Sequence, residues 1–342
     1  MPMLPILALA ITQQPAAAPA KAPAKPAFAI AISKALVGIR PIAFAPAPTG
    51  GRVAMGIEDN SIRIINAITR MTQKTLAGHK RPVQSIAWSP NGRWIASGDE
   101  SARIFIWDTK TWTKTHEILG HTRPIQALAF NSTSTQLIST GADDVVKIWE
   151  MSSLKKEKIS LLGSGANFYG AKFIGRTNDF GMATLQQGAR LYTAQKTMRG
   201  WLTGHANQGT LAVDFNPAAT WGVTAGRDNN ASLFDMKTMN RKGSFKGHQD
   251  WVTTVQFSPN GKWLATASSD HTVKVWNPYT FAQVASLPDQ KAVGSPIAFT
   301  ADGKYMFTVD ISDNLVISTL NPPQGSSAPA ATKAKRSGKR GG

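Results

Sequence analysis

Short alternating runs of apolar and polar residues recur along this chain, parted by clusters of turn-forming residues. Residues 246–277, KGHQDWVTTVQFSPNGKWLATASSDHTVKVWN, display most of one cycle. Val252, Val255 and Phe257 mark a first strand, and Ser258-Pro259-Asn260-Gly261 a tight turn in which Asn-Gly supplies the positive φ of a hairpin. Trp263 to Ala267 reads as a second strand, and Ser269-Asp270-His271 as a second turn. Val273 and Val275 alternate up to Trp276 in a third strand, and Gln283 to Leu287 supplies a fourth.

The cycle repeats. Phe44, Trp88, Phe130, Phe173, Phe215, Phe257 and Phe299 follow one another at intervals of 42 to 44 residues. A period of this size marks repeated supersecondary units, none of which can bury its apolar face alone, so the units must stack. Seven units of four short antiparallel strands predict an all-β fold, a seven-bladed β-propeller whose radial closure leaves no long open edge.

Pairs of residues at the start and end of several units carry a resemblance. Gly-His occurs at Gly78-His79, Gly120-His121, Gly204-His205 and Gly247-His248, and the closing position holds Trp107-Asp108, Trp149-Glu150, Phe234-Asp235 and Trp276-Asn277. In register with the aromatic ladder, these pairs resemble the WD-repeat β-propellers over about residues 28–320. The fourth unit departs from the pattern with Gly163-Ser164 and Tyr192-Thr193, and the first and seventh units lack both pairs. The resemblance implies that the segment Phe28 to Ile32 is the outer strand of the last blade, so that the N-terminal part closes the ring. It also implies that recurring polar residues form a hydrogen-bond network inside the blades: His121, Ser139, Asp143 and Trp149 in the third, and His248, Thr266, Asp270 and Trp276 in the sixth. In the second unit Ser101 stands where the Asp is expected, and in the fifth Phe234 replaces the Trp. Blades three and six are therefore expected to be the most rigid.

The ends differ in composition from the body. Residues 1–26 open with the apolar run MLPILALAIT and continue as an Ala/Pro/Lys-rich linker. Ten apolar residues are too few to span a bilayer but suit the hydrophobic region of a secretory signal, and small residues follow where cleavage would fall. No Lys or Arg precedes the run. The expectation is export to a periplasmic or extracellular space, against the alternative of a cytoplasmic chain. Residues 27–320 form the repeat domain, and residues 321–342 read as a disordered basic tail.

Charge widens the choice of partner. The formal net charge is +18, with 38 Lys and Arg against 20 acids. Lys333, Lys335, Arg336, Lys339 and Arg340 concentrate part of it in a tail without acids, a candidate site for nucleic acid or another polyanion. Cysteine is absent, which excludes a disulfide framework and thiolate chemistry.

The recurring Ser/Thr, His and Asp residues have the composition of a hydrolytic triad. Two complete sets on separate blades argue instead for a scaffold role, since catalysis needs one site. The histidines of the Gly-His pairs fall one to a blade, His116 and His271 stand alone, and no pair has metal-ligand spacing. No phosphate-binding Gly-rich loop or nucleophile elbow is present, so neither a cofactor nor a metal is expected. Trp94, Trp112, Trp201, Trp221 and Trp263 read as inter-blade packing residues.

The expected function is that of a non-enzymatic scaffold binding a protein or peptide on the propeller's loop face. Arg81, Arg123, Gln208, Arg227, Asp250 and Trp251 are the candidate contact residues, on the Arg-plus-aromatic chemistry of interface hot spots. A polyanion binder using the basic core and tail is the alternative, and an enzyme with a site in the central channel the weakest one.

Overall fold

In the computed structural model the described residues are 29–36, 40–162, 168–185, 188–205, 209–291 and 296–321. They form seven four-stranded antiparallel sheets. Among the described residues there is no helix. Each sheet is one blade of a β-propeller. The first strands line the axis: Pro41–Pro46, Val83–Trp88, Ile125–Phe130, Phe168–Phe173, Thr210–Phe215, Val252–Phe257 and Ala298–Phe299.

Burial follows position in the blade. Second strands such as Arg52–Ile57, Gln136–Gly141 and Leu264–Ser268 are buried on both faces, because every blade is covered by a neighbour on each side. This is why they read as near-continuous apolar or small-residue runs. Fourth strands such as Thr72–Leu76 and Thr113–Leu119 are solvent-exposed along most of their length and read as polar.

The core is divided into seven apolar clusters, one for each interface between blades. Blades one and two meet through Ile62, Ile64, Val83 and Trp107, and blades three and four through Ile138, Ile148, Phe168 and Phe180. Blades four and five share Leu191, Leu202, Phe215 and Phe234. The ring closes because Val53, Met55 and Ile57 of blade one pack on Phe307, Leu315 and Ile317 of blade seven. Trp94, Trp112, Trp221 and Trp263 sit at the margins of these clusters, as expected for packing residues. Trp201 lies instead under Arg190, whose guanidinium carbon is 4.7 Å from the ring centroid.

Two details of the sequence reading change. Strand pairing aligns Phe44 with Ile86, since Phe44 lies opposite Met55 as Ile86 lies opposite Ser97. The residue of blade one in the ladder position is Pro46, and Phe44 packs toward Phe307. The apparent interval of 44 residues was this two-residue slip. In the turn after Phe257 only Gly261 takes positive φ, at +68°. The backbone bonds from Gly261 to Ser258 and from Ser258 to Trp263 make it a longer turn with a left-handed glycine, not a two-residue hairpin.

Blade seven is composite. Ala29–Leu36 pairs antiparallel with Leu315–Asn321, with Ile30 opposite Leu320 and Ile32 opposite Ser318. The closing strand runs four residues beyond the expected Ile32, with an irregularity between Ser33 and Leu36. Removing residues 29–36 should expose the Leu315–Asn321 edge and lower the melting temperature of the whole ring by about 5 °C or more. Removing residues 1–26 should not. Calorimetry of the two truncated chains checks this, and equal melting temperatures would refute the closing role.

Candidate functional site

Four blades carry a buried polar chain. In blade three His121 Nδ1 is 3.0 Å from the Asp143 carboxylate, and His121 Nε2 is 2.8 Å from Ser139 Oγ, which accepts the Trp149 indole N–H at 2.9 Å. Blade six repeats it with His248, Asp270, Thr266 and Trp276 at 2.9, 2.7 and 2.8 Å. A neutral imidazole satisfies every member: Nδ1–H donates to the carboxylate, and Nε2 accepts from the hydroxyl. Blade five has His205, Asp228 and Thr224, and Phe234 contributes no donor.

Blade two corrects the expectation placed on Ser101. Asp99 supplies the carboxylate, 2.8 Å from His79 Nδ1, while Ser97 bridges His79 and Trp107 at 2.6 and 2.8 Å. Ser101 is a supporting donor to Asp99. Strand register puts Asp99 where blades three and five have Gly141 and Gly226. A Cβ on Gly141 would fall 2.5 Å from His121 Nδ1, so a side chain at this position reaches the imidazole directly. Either the strand residue or the turn residue supplies the acid; where the turn does, the strand position holds glycine in blades three and five and Ser268 in blade six, whose hydroxyl turns away to the Asp250 carbonyl. The network is thus complete in blades two, three and six.

The hydroxyls have the distances of a triad without its chemistry. Ser97, Ser139, Thr224 and Thr266 are fully buried, and in the three complete sets each hydroxyl is spent between imidazole and indole. Gly120 shows how closely the entry loop fits the blade: a Cβ there would lie 2.4 Å from the Trp149 ring.

The environment also sets protonation. Burial pushes the His121 and His248 imidazoles below their usual pKa, against the raising effect of Asp143 and Asp270. Burial works to raise the Asp270 carboxyl, but hydrogen bonds from Thr272, Gln249 and His248 outweigh it and hold it at about 2.

The second feature is the mouth of the axial channel, a cavity of about 1430 Å³. Its lining includes Arg81, Arg227, Asp250 and Trp251 of the expected contact residues, but not Arg123. Arg123 is exposed on the entry loop of blade three, outside the lining. Gln208 and the tail residues Lys333, Lys335, Arg336, Lys339 and Arg340 lie outside the described residues.

A collar of β-bulges shapes this mouth. In six blades the register of the first strand shifts at its second residue: Ile42, Gln84, Gln126, Tyr169, Leu211 and Thr253. All six line the cavity. A bulged residue leaves the ladder and its side chain is re-aimed, here toward the axis. The sequence reading missed this collar. Its trace is the spacing of three between Val83 and Ile86, Ile125 and Leu128, and Val252 and Val255, all buried. An unbroken strand requires even spacing for residues on one face.

The collar is braced from outside. The backbone N–H groups of Glu58, Glu100, Ala142, Arg227 and Ser269 donate to the carbonyls of Arg40, Pro82, Pro124, Gly209 and Trp251. In these five blades the second turn is thereby tied to the blade's entry loop. Among the described residues no three His, Asp or Glu side chains converge as a metal-binding group.

Asp99→Gly should destabilise the chain by about 1–3 kcal/mol by leaving the His79 N–H unpaired. Adding Ser101→Asp should restore most of that loss by rebuilding the blade-three arrangement, as read from denaturant midpoints. Acid should also destabilise the ring. Below about pH 6.5 histidines of the unfolded chain take up protons that folded His121 and His248 refuse until lower pH, so stability falls as pH drops. Replacing both histidines with Gln should flatten the melting-temperature profile between pH 7 and 5.

The family model for the WD domain, G-beta repeat, matches residues 70–108, 112–150, 196–235 and 239–277. These segments end with the third strands of blades two, three, five and six, the four that carry the histidine network. Each match begins in or near the outer strand of the preceding blade, so the sequence repeat bridges two blades. No match was found among curated proteins. With four matched repeats set in a seven-bladed ring, the chain belongs to the WD-repeat β-propellers, a family whose members generally act as protein-interaction scaffolds.

Proposed function

We propose that this propeller is a non-enzymatic scaffold that docks a protein or peptide across its channel mouth. The collar of bulged side chains carries this reading. It offers Ile42, Tyr169 and Leu211 beside Gln84, Gln126 and Thr253 on strands the fold holds still, which is the arrangement of a recognition surface on a rigid support. Trp251 adds an aromatic face that is 44% exposed, fixed from below by the bond between its carbonyl and the Ser269 N–H. Aromatic and Arg side chains of this kind dominate interface energies.

An enzymatic reading has less support. The hydroxyl, imidazole and carboxylate groups in triad order are sealed inside the blades, and among the described residues the lining of the mouth contains no histidine.

Affinity purification from the host with the full-length chain tests the proposal against the polyanion alternative. Trp251→Ala and Arg81→Ala together should reduce capture of the specific partner by about tenfold or more. Loss of residues 322–342 should leave that capture intact, and so should moderate salt. Capture that ignores the mouth substitutions but collapses with tail removal or added salt would overturn the proposal in favour of polyanion binding.

A further inference from the structure

The two ends of the propeller differ in charge. Each first strand runs from the mouth to the far end, so the turns after the first and third strands all lie at that far end. Among the described residues these turns hold eight Lys and Arg against two acids, Asp179 and Asp302. The turns and loops at the mouth end hold seven against eleven. At the far end Arg93 and Lys304 lie near acids, 3.6 Å from Asp108 and 3.9 Å from Asp302. Arg70, Lys110, Arg176, Lys196, Lys237 and Lys262 are exposed and make no ion pair among the described residues.

These cations stand on a rigid floor. First turns of adjacent blades are bonded to one another: the Asn91 N–H donates to Ser134 Oγ at 3.0 Å, Asn131 Nδ2 to Asn178 Oδ1 at 2.9 Å, and Asn260 Nδ2 to the Asp302 carbonyl at 3.4 Å. The third turns are capped. Asn66 Oδ1 accepts the N–H groups of Ile68 and Thr69, and Asp108, Asp235 and Asn277 do the same in blades two, five and six. The residue two places after each cap is exposed: Ile68, Lys110, Lys237 and Tyr279. Ile68 is 67% and Tyr279 63% exposed, and Met71, beside Ile68, is 68% exposed. Basic and apolar tips therefore share one surface.

The layout selects the partner. The cations come from every blade but the third, so they are spread over a face and not along a stripe. A nucleic acid presents its phosphates along a line, whereas lipid headgroups present theirs in a plane. Ile68, Met71 and Tyr279 find no complement in a phosphate backbone but fit the boundary between headgroups and acyl chains. Their blades, one and six, flank blade seven, where Ala29 lies opposite Asn321 at this same end. The linker with Lys21 and Lys25 and the tail with its five Lys and Arg thus join the fold on this side.

We propose that the far face, centred on the arc of blades six, seven and one, docks on an anionic lipid bilayer. Its cations meet headgroup phosphates while Ile68, Met71 and Tyr279 enter the interface. The channel mouth then points away from the membrane. This face is separate from the mouth, so the inference stands or falls independently of the docking function proposed above.

The test is sedimentation of the full-length chain with phosphatidylcholine vesicles made with or without phosphatidylglycerol. The chain should bind the anionic vesicles alone, and less as salt rises. Arg70→Gln, Lys237→Gln and Lys262→Gln should each weaken binding by about fivefold, and Ile68→Ser with Met71→Ser by about tenfold, with the melting temperature unchanged. Because the chain lacks cysteine, single Cys variants report orientation. A polarity-sensitive dye at Ile68→Cys or Tyr279→Cys should shift to the blue on anionic vesicles, and one at Ile311→Cys, at the mouth end, should not. Equal shifts at both ends would overturn the proposal. So would binding that ignores the face substitutions but is lost with residues 322–342, which would assign it to the tail, or equal binding to neutral vesicles, which would assign it to the apolar run of residues 3–12. Binding to a DNA duplex but not to anionic vesicles would overturn it in favour of nucleic acid, and binding to neither would overturn it outright.

Discussion

Every blade of this protein is a sheet with two apolar faces, and neither face can be left to water. One blade alone has no stable form, and a row of them has two bare ends. Closing the ring removes both ends at once. The pairing of Ala29–Leu36 with Leu315–Asn321 and the packing of Val53 and Met55 on Phe307 and Leu315 are the local expression of that constraint. They join segments almost the whole length of the chain apart, so the loop-closure entropy is large and is offset only when the last interface forms.

Within the ring, the polar networks answer a second problem. A blade buried on both sides still contains turns, and turns contain polar groups. The chain of carboxylate, imidazole, hydroxyl and indole carries hydrogen bonding from the loop surface to the middle of the blade without leaving an unpaired atom. Blades one, four and seven do without it. At the hydroxyl position blades one and four have Met55 and Met182, which satisfy the site by packing. Blade seven keeps Thr308 without the imidazole, and its hydroxyl is buried with no partner among the described residues. Each blade therefore solves the same burial problem by bonding, by filling, or by leaving a small cost unrecovered.

The architecture was largely legible in the sequence because it is a matter of period. Six aromatic residues from Trp88 to Phe299 at spacings of 42 or 43 residues, with one more unit of the same strand pattern before them, give the blade count, and alternation gives the strands. The networks of blades three and six were legible once the resemblance was recognised, because their residues keep fixed offsets. Asp99 was not, since the same carboxylate reaches the same imidazole from a position two residues earlier. Phe44 misled because an aromatic residue stood near the ladder without being in it. The channel collar was hidden for a different reason. Its residues share no chemical type, and only the odd spacing of the buried residues around them betrays the bulge. Arg81, Arg227, Asp250 and Trp251 were found as loop residues, but their convergence on one cavity is a fact of three-dimensional placement.

The bulges have a consequence for how such a protein can diversify. A residue inside a strand answers to two neighbours and to the sheet's face, so replacing it disturbs the fold. The bulged residues Ile42, Gln84, Gln126, Tyr169, Leu211 and Thr253 are released from the ladder and face an open channel. Their identities can drift, one blade at a time, with little penalty to stability. Specificity and foldability are written in separate letters of the same strand, and natural variation or a designed library can rewrite the first without touching the second.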